Sequence, residues 1–183
     1  MKANNYTHTK TQQSLYDWVF DEKWTHSIVL GFVEGSNGSP VSDEYAQKAL
    51  DKFFVRLNAE SFGKRSKKKV NAVATLEYTM SGNPHFHILI RCPKTINHFG
   101  FEKMVKHCWI GAGSYCSLGK IKNTDKQNTL RINGKPKVHI IDHWFVRLTN
   151  EVMRSEITHY LFKTCGEDTT PLQTQYLNPL PKV

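Results

Sequence analysis

The stretch 70–91, VNAVATLEYTMSGNPHFHILIR, predicts two antiparallel strands joined by a tight turn. The segments 70–80 and 85–91 are rich in β-branched and apolar residues, and the Gly-Asn-Pro triplet between them is a turn signal. Alternate side chains of a strand share a face, so His85 and His87 point one way while Phe86 and the isoleucines that follow point the other. We therefore predict a hairpin with an apolar core face and a face that carries two histidines.

Helices and a further strand are predicted on both sides of this hairpin. An apolar strand over 24–33 precedes it, and an amphipathic helix over 43–59, with Ser42 as its N-cap, connects the two. A second helix over 96–110 follows the hairpin, since apolar residues recur there at helical spacing.

The C-terminal part of the chain completes the pattern. We predict a second hairpin from 114–123 and 129–141, then a helix over 144–165 that ends at Gly166. The order β-α-β-β-α-β-β-α predicts an α+β fold, a ferredoxin-like or RRM-like antiparallel sheet with packed helices.

The expected domain organisation is simple, because no linker divides the chain. The predicted parts are a flexible N-terminal arm over 1–20, one folded domain over 21–168 and an irregular tail over 169–183.

Composition excludes several classes of protein. No apolar run of the 183 residues approaches the roughly 20 that span a bilayer, and the polar N-terminus does not resemble a secretory signal. The four cysteines form no CxxC pair, which disfavours a zinc ribbon and suits a reducing cytosol. The formal net charge of +9 favours a polyanionic partner.

The histidine face of the hairpin has the composition of a metal site. Two imidazoles about 6–7 Å apart on one strand can share an ion. Glu77 lies on the preceding strand and comes close to His85 and His87 when the hairpin closes. Two imidazoles and one carboxylate suit a divalent ion with open positions, such as Mn²⁺ or Mg²⁺. The alternative is that these histidines are ordinary surface side chains.

The last predicted helix carries three chemically useful side chains on one stripe. Glu156, Tyr160 and Lys163 follow one another at i, i+4 and i+7, beside an apolar stripe that could pack on the sheet. A tyrosine hydroxyl becomes a useful nucleophile when a metal polarises the electrophile and a cation offsets the developing charge. The alternative is a half-buried tyrosine with a solvated Glu/Lys pair.

Together these residues resemble the HUH endonucleases, the Rep and relaxase superfamily that nicks single-stranded DNA. His85-Phe86-His87 matches the HUH element, and Tyr160-Leu161-Phe162-Lys163 matches the Tyr-x-x-Lys nucleophile motif of the Rep branch. Glu77 matches the acidic third ligand of viral Reps, and Glu156 matches the glutamate found one helical turn before the single tyrosine in rolling-circle plasmid Reps. The resemblance extends over 24–166 and implies the HUH nuclease fold.

The resemblance implies an enzyme that nicks DNA and transfers strands to initiate rolling-circle replication. In this interpretation the two histidines and Glu77 hold Mn²⁺ or Mg²⁺, and Tyr160 forms a covalent 5′-phosphotyrosine bond. Lys163 offsets charge or orients the tyrosine, and Glu156 activates a water or hydroxyl that ends replication. Thr25-His26-Ser27 is the counterpart of the family's first motif, with no catalytic role assigned.

The implied partners are single-stranded DNA or an origin hairpin, a host helicase and a DNA polymerase, with no membrane. A host helicase is expected because the sequence has no GxxxxGK[ST] motif. The implied location is the cytoplasm of a bacterial host.

Three sets of residues are candidates for DNA contact. The first is the basic loop, which comprises Lys64, Arg65, Lys67, Lys68 and Lys69. The second lies on the later hairpin and comprises Lys120, Lys122, Arg131, Lys135 and Lys137. Bases could also stack on Trp24, Trp109 and Trp144, although such aromatics are more often part of a core.

Several alternatives stay open at this point. His139 or His143 could replace Glu77 as the third ligand, whereas His159 points about 100° away from Tyr160 and is a weak candidate for its base. The same chemistry would also serve a transposase or a relaxase of a mobile element. A non-catalytic single-stranded nucleic-acid-binding module is the alternative from a different class, and it would need exposed aromatics on the central strands.

Overall fold

A computed structural model describes residues 10–34, 38–118, 131–132, 135–136, 144–165 and 172–173. It confirms an α+β fold in which helices pack on an antiparallel sheet. The elements in chain order are α1 Lys10–Asp21, β1 His26–Phe32, α2 Asp43–Phe62, β2 Ala72–Tyr78, β3 Pro84–Ile90, α3 His98–Ile110, β4 Cys116–Ser117, β5 Arg131–Ile132, β6 Lys135–Pro136, β7 Phe145–Arg147, α4 Glu151–Cys165 and β8 Leu172–Gln173.

The main sheet has β1 and β3 at its centre. Within the described part of the chain, six strands form it, in the order β4-β1-β3-β2-β8, and β7 pairs with β1. The elements from β1 to β4 follow the β-α-β-β-α-β order of a ferredoxin-like unit, as predicted. Strands β4 and β7 pair with opposite halves of β1, β4 at Gly31 and Phe32 and β7 at His26 to Ile28.

One face of the sheet is the main hydrophobic core. The even-numbered side chains of β1 and β3, such as Ile28 and Phe86, pack there under α2 and α3. Helix α2 begins where the sequence predicts, because the Ser42 side chain accepts a hydrogen bond from the Tyr45 amide at 3.2 Å. None of the described helices has both the length and the apolar content that crossing a bilayer requires.

The opposite face of the sheet is covered by α1 and α4. Val73 and Leu89 of the sheet pack there in a smaller apolar cluster with Ile157 and Leu161 of α4. Val19 and Trp24 complete this cluster from the N-terminal side. The odd-numbered residues of β2 and β3 beyond this cluster therefore lie beside α4.

The N-terminal segment differs from the predicted loose arm, because Lys10–Asp21 is helix α1. Its sequence is polar, but Val19 is fully buried and Trp18 contacts Trp24 edge to face with ring centroids 5.8 Å apart. Tertiary packing of a few apolar side chains thus stabilises a helix that the residue pattern alone does not indicate.

The predicted second hairpin is wrong in its pairing. Cys116–Ser117 pairs with β1, and Arg131–Ile132 pairs with Lys135–Pro136 in a separate two-stranded sheet. The remaining residues of the predicted hairpin after Leu118 lie outside the described residues.

The last helix begins later than predicted, and the tail contains a short strand. Phe145–Arg147 is strand β7, and α4 starts at Glu151 because the Asn150 side chain accepts a hydrogen bond from the Met153 amide at 2.8 Å. Leu172–Gln173 pairs with β2, where the sequence predicts irregular structure. The rest of the tail lies outside the described residues.

Candidate metal centre and active site

The candidate metal centre is built by the ladder between β2 and β3. Glu77 stands directly opposite His85, and Thr75 stands opposite His87. Directly paired residues of an antiparallel sheet project from the same face, so the carboxylate and both imidazoles come together on the α4 side. The Glu77 Oε2 atom lies 3.3 Å from His87 Nε2 and 3.7 Å from His85 Nε2.

These three side chains could hold a divalent ion. Their ligand atoms all lie within 4.8 Å of one another, and among the described residues no other group of three or more such side chains has this geometry. Two ligands at about 2.1 Å from one ion are about 3.0 Å apart in octahedral and about 3.4 Å apart in tetrahedral geometry. The observed separations are close to these values, and three protein ligands leave positions open for a substrate oxygen.

The electrostatics of the centre favour an ionised carboxylate. Burial by itself raises the pKa of Glu77, but hydrogen bonds and charge interactions with His85 and His87 outweigh it and hold that pKa well below its usual range. Glu77 is therefore a carboxylate at neutral pH, as a metal ligand must be. The buried His85 Nδ1 has no hydrogen-bond partner in the described part of the chain, so His85 engages Glu77 through Nε2.

Helix α4 places Tyr160 against this centre. The Tyr160 ring meets the His87 ring edge to face with centroids 5.4 Å apart, and 39% of the tyrosine is exposed. Partial burial, and then the negative charge of Glu77, raises the pKa of Tyr160 to about 12. The phenol is thus protonated at neutral pH, and it needs compensating positive charge before it can act as a nucleophile.

The other predicted residues of α4 are placed less closely. Glu156 is half-buried one helical turn before Tyr160, and it is not part of the three-residue metal group. Lys163 lies in α4 after Tyr160, but its side chain, like that of His159, is outside the described residues. His139 and His143, the alternative third ligands, also lie outside the described residues.

The structure does not bring the basic loop to the metal centre. Its five basic residues are exposed and follow the end of α2, just before β2 begins. Glu77 lies at the other end of β2, about 17 Å from Ala72 at the usual rise of a strand. The loop and the metal centre therefore occupy opposite ends of the same strand.

The remaining DNA-contact candidates divide into core residues and undescribed ones. Trp24 and Trp109 are fully buried and cannot stack on bases in this fold, whereas Trp144 is half-buried beside Phe145. The second basic set falls outside the residues whose side chains are described.

His26, from the motif on the first strand, has a structural environment on the other face of the sheet. Its Nε2 is 2.7 Å from His98 Nδ1, and its Nδ1 is 2.8 Å from the Thr25 hydroxyl. Burial, followed by the positive charges of His98 and Arg147, lowers the pKa of His26 to about 4. Strand alternation already indicates this placement, because His26 shares its face with the core residue Ile28.

Two residues that support α4 carry no sequence signal for that role. Arg154 donates a hydrogen bond from Nε to the Trp24 carbonyl at 3.1 Å, and Trp24 packs under the helix. An arginine beside a helix start and a tryptophan before a strand are each common in sequences. Only the tertiary structure joins them.

The fold and the site together define an α+β domain with a Glu-His-His metal-ligand group beside a helix tyrosine. A family model described as a replication-associated protein of the ORF2 type matches residues 36–168, which is 133 of the 183 residues. The chain belongs to this family of replication-associated proteins. No curated protein and no solved structure matches it.

Metal binding by the purified protein tests the centre directly. We expect one Mn²⁺ per chain by titration calorimetry, and Glu77→Gln or His87→Ala should weaken that affinity at least about tenfold, because each removes a ligand. Glu34→Gln is the matched control, since Glu34 is an exposed carboxylate just after β1. Equal Mn²⁺ affinity in Glu77→Gln and the unmodified protein would contradict the assignment.

Proposed function

We propose that this replication-associated protein is a metal-dependent single-stranded DNA endonuclease that nicks an origin and initiates rolling-circle replication. The observation that carries the proposal is the position of Tyr160, whose ring contacts His87 of the metal-ligand group. A nucleophile beside open metal positions is the arrangement that phosphoryl transfer requires. The family match supplies the replication context.

The reaction follows from what each side chain can do. An ion held by Glu77, His85 and His87, Mn²⁺ or Mg²⁺ in this proposal, would polarise the scissile phosphate and offset its charge. The Tyr160 oxygen attacks phosphorus, and the bond from phosphorus to the 3′-oxygen of the preceding nucleotide breaks. The phenolic proton balances the free 3′-hydroxyl, and the product is a 5′-phosphotyrosine. The released 3′-hydroxyl primes synthesis by a DNA polymerase.

Two residues of α4 are proposed to assist this chemistry. Lys163 offsets the charge that develops on the phosphate or orients the tyrosine, in line with the Tyr-x-x-Lys resemblance. Glu156, one helical turn before Tyr160, activates the water or hydroxyl that attacks a phosphorus at termination. Neither role involves metal ligation, which is consistent with the absence of Glu156 from the metal group of the described residues.

The proposed partners are an origin in single-stranded or hairpin form, a host helicase and a polymerase, in the cytoplasm of a bacterial cell. Transposases and relaxases use the same chemistry, and the DNA substrate distinguishes them from an initiator. A non-catalytic binding module is disfavoured, because metal-ligand side chains occupy the strand positions where such a module would expose stacking aromatics.

The covalent adduct is the decisive test of the nucleophile. With circular single-stranded DNA and Mn²⁺, the protein should give a DNA-linked band on a denaturing gel, and Tyr160→Phe should abolish it while folding and DNA binding persist. Tyr78→Phe is the matched control, because that exposed tyrosine donates to Asp43 Oδ2 at 2.8 Å, away from the centre. An adduct formed by Tyr160→Phe would refute the assignment, as would nicking that is undiminished in excess chelator.

Glu156→Gln separates the first strand transfer from termination. The variant should form the adduct at the rate of the unmodified protein, because Tyr160 and the metal ligands are intact. Release of the adduct to water or to a hydroxyl should slow by about 100-fold, the usual contribution of a general base. Adduct decay at an unchanged rate would show that Glu156 has no such role.

The basic loop is proposed to bind DNA phosphates at a distance from the chemistry. Replacing Lys67, Lys68 and Lys69 by alanine should lower affinity and reduce the salt dependence by about 0.7 per lost phosphate contact, with an unchanged cleavage position. Lys48→Ala is the control, because Lys48 is an exposed lysine of α2 paired with Glu44 at 2.6 Å. An unchanged salt dependence in the triple variant would exclude the loop as a DNA contact.

A further inference from the structure

The helix that carries Tyr160 is held in place by a segment that the family match does not include. The match begins at residue 36, whereas α1 and Trp24 come before it. Val19 and Trp24 are both fully buried and belong to the apolar cluster that includes Ile157 and Leu161 of α4. The N-terminal segment therefore forms part of the surface on which the nucleophile helix rests.

A chain of directional contacts crosses this interface. Arg154 Nε donates to the Trp24 carbonyl at 3.1 Å, and the Trp24 indole donates to the Val19 carbonyl at 2.7 Å. These two bonds link α4 to the start of β1 and then to α1. The edge-to-face contact between Trp18 and Trp24 strengthens the same link.

The position of Arg154 is electrostatically unfavourable for its own helix. It is the fourth residue of α4, and a cation near a helix N-terminus opposes the helix dipole. Its contribution must therefore come from outside the helix, and the bond to the Trp24 carbonyl supplies one. That bond is directional, whereas the apolar contacts of Ile157 and Leu161 are not.

Precise placement matters because Tyr160 follows Arg154 by six residues, about 9 Å along the helix axis. Strand transfer needs reacting atoms about 3–3.5 Å apart, and a misplacement of about 1 Å can cost about 100-fold in rate. A helix held only by apolar contacts can shift or rotate by that amount while it stays folded.

We propose that Arg154 and Trp24 are positioning residues that fix the Tyr160 helix over the Glu77-His85-His87 group. This inference rests on the proposed strand-transfer function, since it assigns how the nucleophile is aimed. Neither residue touches the reacting atoms. Their effect is on the rate of the chemical step and not on the binding of metal or DNA.

Single-turnover kinetics of the full chain test the proposal. Arg154→Ala and Trp24→Phe should each slow adduct formation by about 10- to 100-fold, with Mn²⁺ and single-stranded DNA affinities within about twofold of the unmodified protein. Arg154→Lys, which keeps a donor, should recover part of the rate. The double variant should be no slower than the slower single variant, because both changes break the same link.

Arg56→Ala is the matched control for loss of a half-buried arginine. Arg56 lies between α2 and α3 on the other face of the sheet, with Nη2 3.5 Å from His107 Nε2. Its replacement should lower folding stability without slowing adduct formation below the melting temperature. An equal loss of rate in Arg56→Ala and Arg154→Ala would show a general stability effect and overturn the proposal.

A readout without cleavage keeps the two proposals distinguishable. The ¹⁹F signal of 3-fluorotyrosine at Tyr160, assigned by its loss in Tyr160→Phe, should shift or broaden in metal-free Arg154→Ala and stay unchanged in Arg56→Ala. An unchanged signal overturns the positioning role. A changed signal in a protein that never forms an adduct supports the positioning of Tyr160 and refutes the proposed strand transfer.

Discussion

The register of one strand pair is the constraint on which the rest of the site depends. Glu77 meets His85 across the β2–β3 ladder, and a slip of one residue would turn the carboxylate to the core face, away from both histidines. The turn fixes this register, because the Gly82 amide donates to the Thr79 carbonyl at 2.8 Å and Gly82 has φ +78°. A left-handed glycine after a tight turn is a common device for closing a three-residue hairpin loop.

This register also divides the sheet into a face for stability and a face for chemistry. Core side chains such as Phe86 and Ile88 alternate with the histidines, so the same strand stabilises the fold and presents the ligands. On the chemical face, the charge of Glu77 contributes to the raised pKa of Tyr160. The carboxylate thus disfavours the phenolate, and the nucleophile stays neutral until positive charge enters the site.

The parts of this architecture that depend on local pattern could be predicted from the sequence. Alternation placed His85 and His87 on one face, and the turn residues of the hairpin brought Glu77 beside them. Helix α1 could not be predicted, because its stability comes from Val19 and Trp24 packing against residues of α4, which come much later in the chain. Strand β7 was missed for a similar reason, since three residues that resemble the start of a helix are captured by the free edge of β1.

The distribution of positive charge is where sequence reasoning and structure differ most in consequence. A net charge of +9 suggests basic residues gathered around a DNA-cleaving centre, but the five residues of the basic loop lie at the far end of β2 from Glu77. Phosphate contacts there can add affinity and orientation, yet they cannot stabilise charge at the scissile phosphate about 17 Å or more away, beyond a Debye length at physiological salt. Stabilisation of the transition state must therefore come from groups beside Tyr160, which makes the position of α4 more important for rate than the overall charge of the protein.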